Sequence, residues 1–504
     1  MVADNENPLA DFPFDKLPTE LLIKIFHHTR PNSVSEDYDA NYPYPVALSQ
    51  VCRHWRKVAL GAPTLWTDIR IVQYDKEETR EATRVYLERS KTCPIFLTWF
   101  PDRDQPFTDT RGVIDDLIIP RAERWQRITL VAEIGTAIDA LLTAMESLDF
   151  PILQDLEIPC TLKRPSSNTN FCHNAPLLRR CRFHECWDIP PLPPLPSNLV
   201  VLDLDFTFSV AGTMELDLDT LIEFLPHVAH SLEHLRLGLH PLSEVQVTPC
   251  TSKIPLEHLK SLLIKGSHVI MDHISTPNLT YLTASCSYGA ADTAKMFKDF
   301  SAPVLRSIQF FDTPLRPILD THHLPSIFPQ LESVTSFCCT GESAFVLLLE
   351  PPEPKSSSSQ KGPKHREVQN PFPNLKELTI SDMTIWTSLH AVIEKRLKNG
   401  DKSLRKIRLP KGEATETIMP HLRRWLPARG IELVLYEPRE LAGSPPEFQD
   451  DSCDDEARLF LEMMERTGRE QYSEGYDDTE QHWERLMYGD YHSGEEEDLG
   501  DFYY

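Results

Sequence analysis

The chain is short of the residue patterns that most enzymes and membrane proteins announce. Its eleven cysteines form no CxxC pair and keep no even spacing, which excludes the familiar zinc and dithiol motifs. The longest uninterrupted apolar run, "AFVLLL" at 344–349, is too short to cross a bilayer. The opening "MVADNENPLADF" has neither a basic start nor an apolar signal core, so reduced thiols and a cytoplasmic or nuclear setting are expected. No GxSxG, HExxH, GxxxxGK[ST] or GxGxxG is present, so none of the local signatures of acyl transfer, zinc hydrolysis or phosphate binding can be read. No cysteine is paired with a base in a recognisable local motif, and no catalytic activity or cofactor is expected.

Basic residues are also in short supply. A net charge of −25 over 504 residues excludes nonspecific nucleic-acid or acidic-membrane binding as the main activity. The excess is concentrated after residue 436, where 22 acidic residues face 5 arginines and no lysine, a balance of −17. Residues 437–504 therefore read as an acidic, mostly disordered tail, with "EARLFLEMMERT" inside it as one amphipathic segment. Residues 1–12 read as a flexible N-terminus.

Against that background, apolar residues make up 40% of the chain, enough for a large core. In "KLPTELLIKIFHH" at 16–28, Pro18 and Glu20 suit a first helical turn. Leu17, Leu21 and Ile25 then form a stripe at helical spacing, widened by Leu22 and Phe26. After a polar, proline-containing connector, "ALSQVCRHWRKVALGAPTLW" places Leu48, Val51, Cys52, Trp55 and Val58 at helical spacing until Gly61 and Pro63 stop it. Two helices this short cannot cover each other's apolar faces, so another domain or protein must contribute.

The ordered combination "LPTELL", "VCRHWR" and "PTLW" resembles an F-box over residues 13–67, with a connector at 30–46 that is longer than in compact members. The resemblance implies a small all-α module that docks a Skp-type adaptor, and through it a cullin and RING ubiquitin ligase. It implies adaptor-facing or module-core roles for Leu17, Pro18, Leu21, Ile25, Val51, Cys52, Trp55 and Trp66.

A linking helix is expected within 68–93, and "CPIFLTWF" reads as a strand. From there to 436 a phrase of the form LxxLxL recurs, at 125, 153, 178, 199, 232, 259, 279, 305, 331, 375 and 404. Most of its steps lie near a leucine-rich-repeat period. Its last two apolar residues alternate with polar ones, so each copy predicts a short strand with one buried face. Residues 218–231 and 386–400 carry helical periodicity and are expected to cover the other side. The copies lack an asparagine ladder and vary in length. The expected fold is therefore α/β: the all-α module, then an irregular leucine-rich-repeat-like solenoid over 94–436, then the acidic tail. The 44-residue step from 331 to 375 holds "PPEPKSSSSQKGPKHRE", read as a disordered insertion over 351–369.

The outward positions of the phrase form the candidate target-binding surface. They are Arg127 and Thr129, Arg180 and Arg182, Asp203 and Asp205, His234 and Arg236, Tyr281 and Thr283, Ser307 and Gln309. The series continues with Ser333 and Thr335, Glu377 and Thr379, Lys406 and Arg408. A basic spot at Arg180 and Arg182 favours an acidic partner. Cys172, His173, Cys181, His184 and Cys186 lie close in sequence but match no metal-finger spacing, and Cys181 falls on an inward position. The function expected from the resemblance is that of a substrate receptor of a ubiquitin ligase, binding an adaptor and a protein target, with no nucleic acid or membrane involved.

Overall fold

In the computed structural model, the described residues are 17–29, 44–71, 77–99, 112, 114–130, 145, 147–159, 174–184, 196–205, 218–239, 253–266, 269–285, 302–311, 331–339, 372–380, 386–398 and 400–436. The expected flexible N-terminus, insertion and acidic tail lie outside them. The chain forms two compact units, one of residues 1–28 and 45–447, the other of 29–44 and 448–504. In the second unit the hydroxyl oxygens of Thr29 and Tyr44 are 2.5 Å apart. No helix among the described residues is long and apolar enough to cross a membrane.

The N-terminal helices are α1 (Thr19–His28), α2 (Tyr44–Val51) and α3 (Arg53–Gly61), closed by a 3-10 turn at Pro63–Trp66. The amides of Leu21 and Leu22 both bond the Pro18 carbonyl, which starts α1. Where one helix was expected from Leu48 to Val58, the structure has two. Cys52 is extended at φ −155° and ψ 172°, and its thiol accepts from the Trp55 amide at 3.4 Å, capping α3. A residue whose side chain accepts the amide three positions on is an N-cap, and it breaks the helix before it.

Helix α4 (Glu77–Arg89) lies between the first two of the strands. They are β1 (Asp68–Ile71), β2 (Ile95–Trp99), β3 (Trp125–Leu130), β4 (Asp155–Pro159), β5 (Arg180–His184), β6 (Val201–Asp205), β7 (His234–Leu239) and β8 (Ile254–Pro255). Further along come β9 (Ser261–Gly266), β10 (Ile274–Ser275), β11 (Tyr281–Ser285), β12 (Ser307–Phe311), β13 (Ser336–Cys339), β14 (Glu377–Ile380), β15 (Lys406–Pro410) and β16 (Glu432–Tyr436). Among the described residues three helices lie between them: α5 (Leu218–Val228), α6 (Trp386–Lys398) and α7 (Glu413–Trp425). Fourteen strands make one sheet in sequence order, with β8 and β10 set apart as a two-stranded ladder. Every pairing in it is parallel, which requires a crossover between neighbours and accounts for the long steps between phrases.

The sheet's first strand, β1, falls within the stretch expected to hold only a linking helix, and β16 extends the sheet past the last phrase. Two apolar rows run across the register. Ile69, Leu97, Ile128, Leu156, Cys181, Leu202, Leu235, Leu262, Leu282, Ile308, Phe337, Leu378, Ile407 and Leu433 are aligned in one of them. Except for Leu433 these are buried, in a core that also takes in Leu221 and Leu225 of α5 and Leu422 of α7.

A local turn sets each strand's start. The first residue of the phrase donates its amide to the carbonyl three residues earlier, as Leu178 does to Ala175 and Leu375 to Phe372. Val334 makes that bond to Leu331, and Ser336 pairs with Ser307 and Glu377. The phrase expected at 331 therefore begins at 334, and its outward residues are Ser336 and Cys338, replacing Ser333 and Thr335. After the undescribed 340–371, Phe372 leads into β14 at φ 54°, a left-handed conformation that costs a non-glycine residue roughly 1–2 kcal/mol. Buried Arg396 donates to its carbonyl at 2.9 Å and pairs with Asp401 at 2.5 Å.

Candidate functional site

Two surfaces carry the residues singled out from the sequence. In the helical module, Leu22 and Phe26 are fully buried while Leu21 and Ile25 are 47% and 37% exposed. The pair that widened the stripe faces inward, and the stripe itself faces out. Phe26 meets the partly buried Trp55 edge-on at 4.8 Å between ring centres, a favoured aromatic geometry. Trp66 is fully buried, donates from Nε1 to the Ala59 carbonyl at 2.8 Å, and is covered by Tyr86 and by the Arg89 guanidinium 4.4 Å from its ring. The last element of the module is thus locked onto α4, and β1 leads directly into the sheet.

Of the eight residues, Trp66 is core, Trp55 and Leu17 are partly buried, and Pro18, Leu21, Ile25, Val51 and Cys52 are exposed. Val51 is 60% exposed at the end of α2. Leu60 is also exposed and was missed, although its position on the charged face of α3 marks it. An apolar surface on a module whose own core is filled is what a protein partner covers.

On the polar face of the sheet, the register brings outward residues into rows. Glu157, Arg182, Asp203 and Arg236 stand side by side on β4, β5, β6 and β7, alternating in sign at the usual strand separation of about 4.8 Å. All four are buried, as are Asp205 and His234. Arg236 reaches Asp203 at 3.4 Å and Asp205 at 2.9 Å, and Lys265 reaches Asp205 at 2.7 Å. Gly238 lies between Asp205 and Lys265 in register. A Cβ there would stand 2.2 Å from the Asp205 carboxylate.

This corrects the expected open surface over β5–β7. Asp203, Asp205 and Arg236 are committed to an internal network, with Arg182 and His234 buried beside it, because charges removed from water are tolerated only when paired. Arg180 is nearer the surface, and Asp155 sits 3.6 Å from it and 3.4 Å from Arg127. Asp155 and Glu157 neutralise the expected basic spot; both are outward positions of the phrase at 153 and were legible there.

Further along, the face changes character. Tyr281 is 40% exposed, and Ser307, Gln309 and Ser336 beside it are partly buried and uncharged. Cys338 is buried and its thiol pKa is pushed up to about 12, chiefly by burial, against a hydrogen bond with Gln309. It holds its proton at neutral pH. Glu377, Lys406 and Arg408 close this stretch, with Glu377 3.6 Å from Lys406 and 3.9 Å from Arg408, and Arg408 lies over the Tyr436 ring. Among the described residues no three His, Cys, Asp or Glu side chains come together to hold a metal ion. Cys172, His173 and Cys186 are outside them.

Comparison with known proteins bears on the module alone. No curated protein matches the chain. A crystal structure of a Bacteroides fragilis protein is similar at 11% identity over 65% of this chain and 72% of that one, with a TM-score of 0.28, a likeness that adds nothing to the strand order described above. Residues 14–72 match the F-box-like family model, so the helical module with its outward Leu21, Ile25 and Val51, through to the first strand of the sheet, is an F-box-like domain.

Proposed function

We propose that this chain is the substrate-recognition subunit of a Skp, cullin and F-box type ubiquitin ligase. One observation carries the reading: the F-box-like domain fills its own core with Leu22, Phe26 and Trp66 and leaves Leu21, Ile25 and Val51 outside. A Skp-type adaptor covers that surface and joins the chain to a cullin and a RING subunit. The parallel sheet, as an irregular leucine-rich-repeat solenoid, holds a protein target. The contribution is proximity, which converts an encounter between target lysine and charged conjugating enzyme into a local event. The chemistry belongs to other subunits, no cofactor is needed, and the setting is the cytoplasm or nucleus.

Binding of the purified chain to a Skp-type adaptor tests this. Leu21→Asp and Val51→Asp should each weaken binding by about tenfold or more without moving the thermal midpoint. Full binding by both variants sinks the reading. A second reading, a scaffold that binds the adaptor and degrades nothing, draws on the buried charges that close part of the polar face. It is separated by target levels after loss of the chain, which a scaffold leaves unaltered.

A further inference from the structure

The sheet ends unequally. Among the described residues each end strand has one strand partner, β1 with β2 and β16 with β15, but β1 also has α4 packed against it. Glu432 donates its amide to the Arg405 carbonyl, and the Tyr436 carbonyl accepts from Lys411. By strand alternation, Leu433 and Leu435 turn their amides and carbonyls away from β15, a row of groups that a further strand would complete. Their side chains end the two apolar rows, and they are incompletely covered: Leu433 is partly buried and Leu435 is 36% exposed. Stacked repeats ordinarily close with a polar outer face; this one closes on leucines.

Beside that edge is an open cleft of about 520 Å³, lined by Met419, Arg423, Pro427, Ile431, Leu433 and Leu435, with Glu432 its one acidic residue. Arg423 and its neighbour Arg424 are exposed, and among the described residues neither has an ion-pair partner. The surroundings share their sign. Residues 372–436 hold 12 Lys and Arg against 7 Asp and Glu, a balance of +5 in a chain of −25. A second copy of this edge would bring like charges together. An acidic segment brings opposite ones.

We infer that the β16 edge is a docking site for an extended segment of another protein, alternating apolar and acidic residues, which adds as a parallel or antiparallel strand along Leu433–Leu435. Backbone groups supply the pairing, the cleft takes the apolar side chains, and Arg423 and Arg424 meet the acidic ones. As the site for a ligase target this rests on the proposed function. As a binding site it does not, because the measurement needs no adaptor.

The probe is a ten-residue peptide alternating Leu and Glu, titrated into the full chain by fluorescence anisotropy. A Leu and Lys peptide and a Leu and Glu peptide N-methylated at alternate amides serve as controls. Binding of the first alone is expected, weakened about tenfold by Leu435→Asp and about fivefold by Arg423→Glu. Adaptor binding should be unchanged in both variants. Absence of binding, equal binding of the lysine or methylated peptide, or indifference to both substitutions overturns the site, whatever the adaptor result. So does a dimer in sedimentation that Leu435→Asp dissociates, which would make a second copy the occupant.

Discussion

The helical module and the middle of the sheet invert the usual rule of what a protein exposes. In the module the exposed residues are apolar: Leu21, Ile25 and Val51. On the polar face of β4–β9 the buried residues are charged: Glu157, Arg182, Asp203, Asp205 and Arg236. Both inversions have the same physical root, since a group is stable only where its surroundings suit it. Of the sheet's charges, Asp203, Asp205 and Arg236 already have partners in the same chain, at 2.7–3.4 Å. The module's Leu21, Ile25 and Val51 instead turn toward solvent.

This contrast can be broken from either side. The largest effect is expected at Asp205, where Asp205→Ala strands Arg236 and Lys265 without their shared carboxylate and should destabilise the chain by about 3–5 kcal/mol. A urea midpoint that fails to fall would show the network to be solvated. Gly238→Ala pushes a methyl group against the same carboxylate and should cost roughly 1–3 kcal/mol; calorimetry would register it, and a neutral result would mean Asp205 can turn aside freely. In the module, Val51→Asp should leave stability within about 0.5 kcal/mol while weakening the adaptor, because an exposed site away from the core has little to lose on its own.

The smallest effect is a pH dependence at Cys338. Its thiol pKa is raised from 9.0 to about 12, so below 9.0 both folded and unfolded chains keep the proton and pH has no leverage. Between 9.0 and about 12 only the unfolded chain releases it, and stability falls as pH rises. Comparing urea midpoints at about pH 8 and about pH 10, the decline should be shallower in Cys338→Ser than in the parent chain. Equal slopes would place the thiol in contact with water.

Much of this was legible in local patterns. The period-2 alternation of the phrase located ten of the fourteen sheet strands, and "CPIFLTWF" located β2. The exception was instructive. "LESVTS" has the leading leucine but puts Ser336 at the last apolar position, while "VTSFCC" fills all three with Val, Phe and Cys, and the turn bond from Val334 to Leu331 fixes the later start. β1 and β16 escaped because "DIRI" and "ELVLY" are short alternations without the leading phrase, held by their neighbours' edges. In the module, helical spacing identified the apolar residues of α1 but not which of them face inward. Leu21, Leu22, Ile25 and Phe26 spread over a wide arc of a ten-residue helix, and packing on α3 made the choice.

By itself the amino-acid sequence determined the elements that local chemistry decides: the start of α1 at Pro18, the strands of the repeated phrase, and the acidity gathered after residue 436. Only the tertiary structure decided which charges meet. Asp205, Arg236 and Lys265 are separated by 31 and 29 residues along the chain, yet parallel register sets them within reach of one another. That register depends on where each crossover returns to the sheet, a property of the packed core that no stretch of residues carries alone.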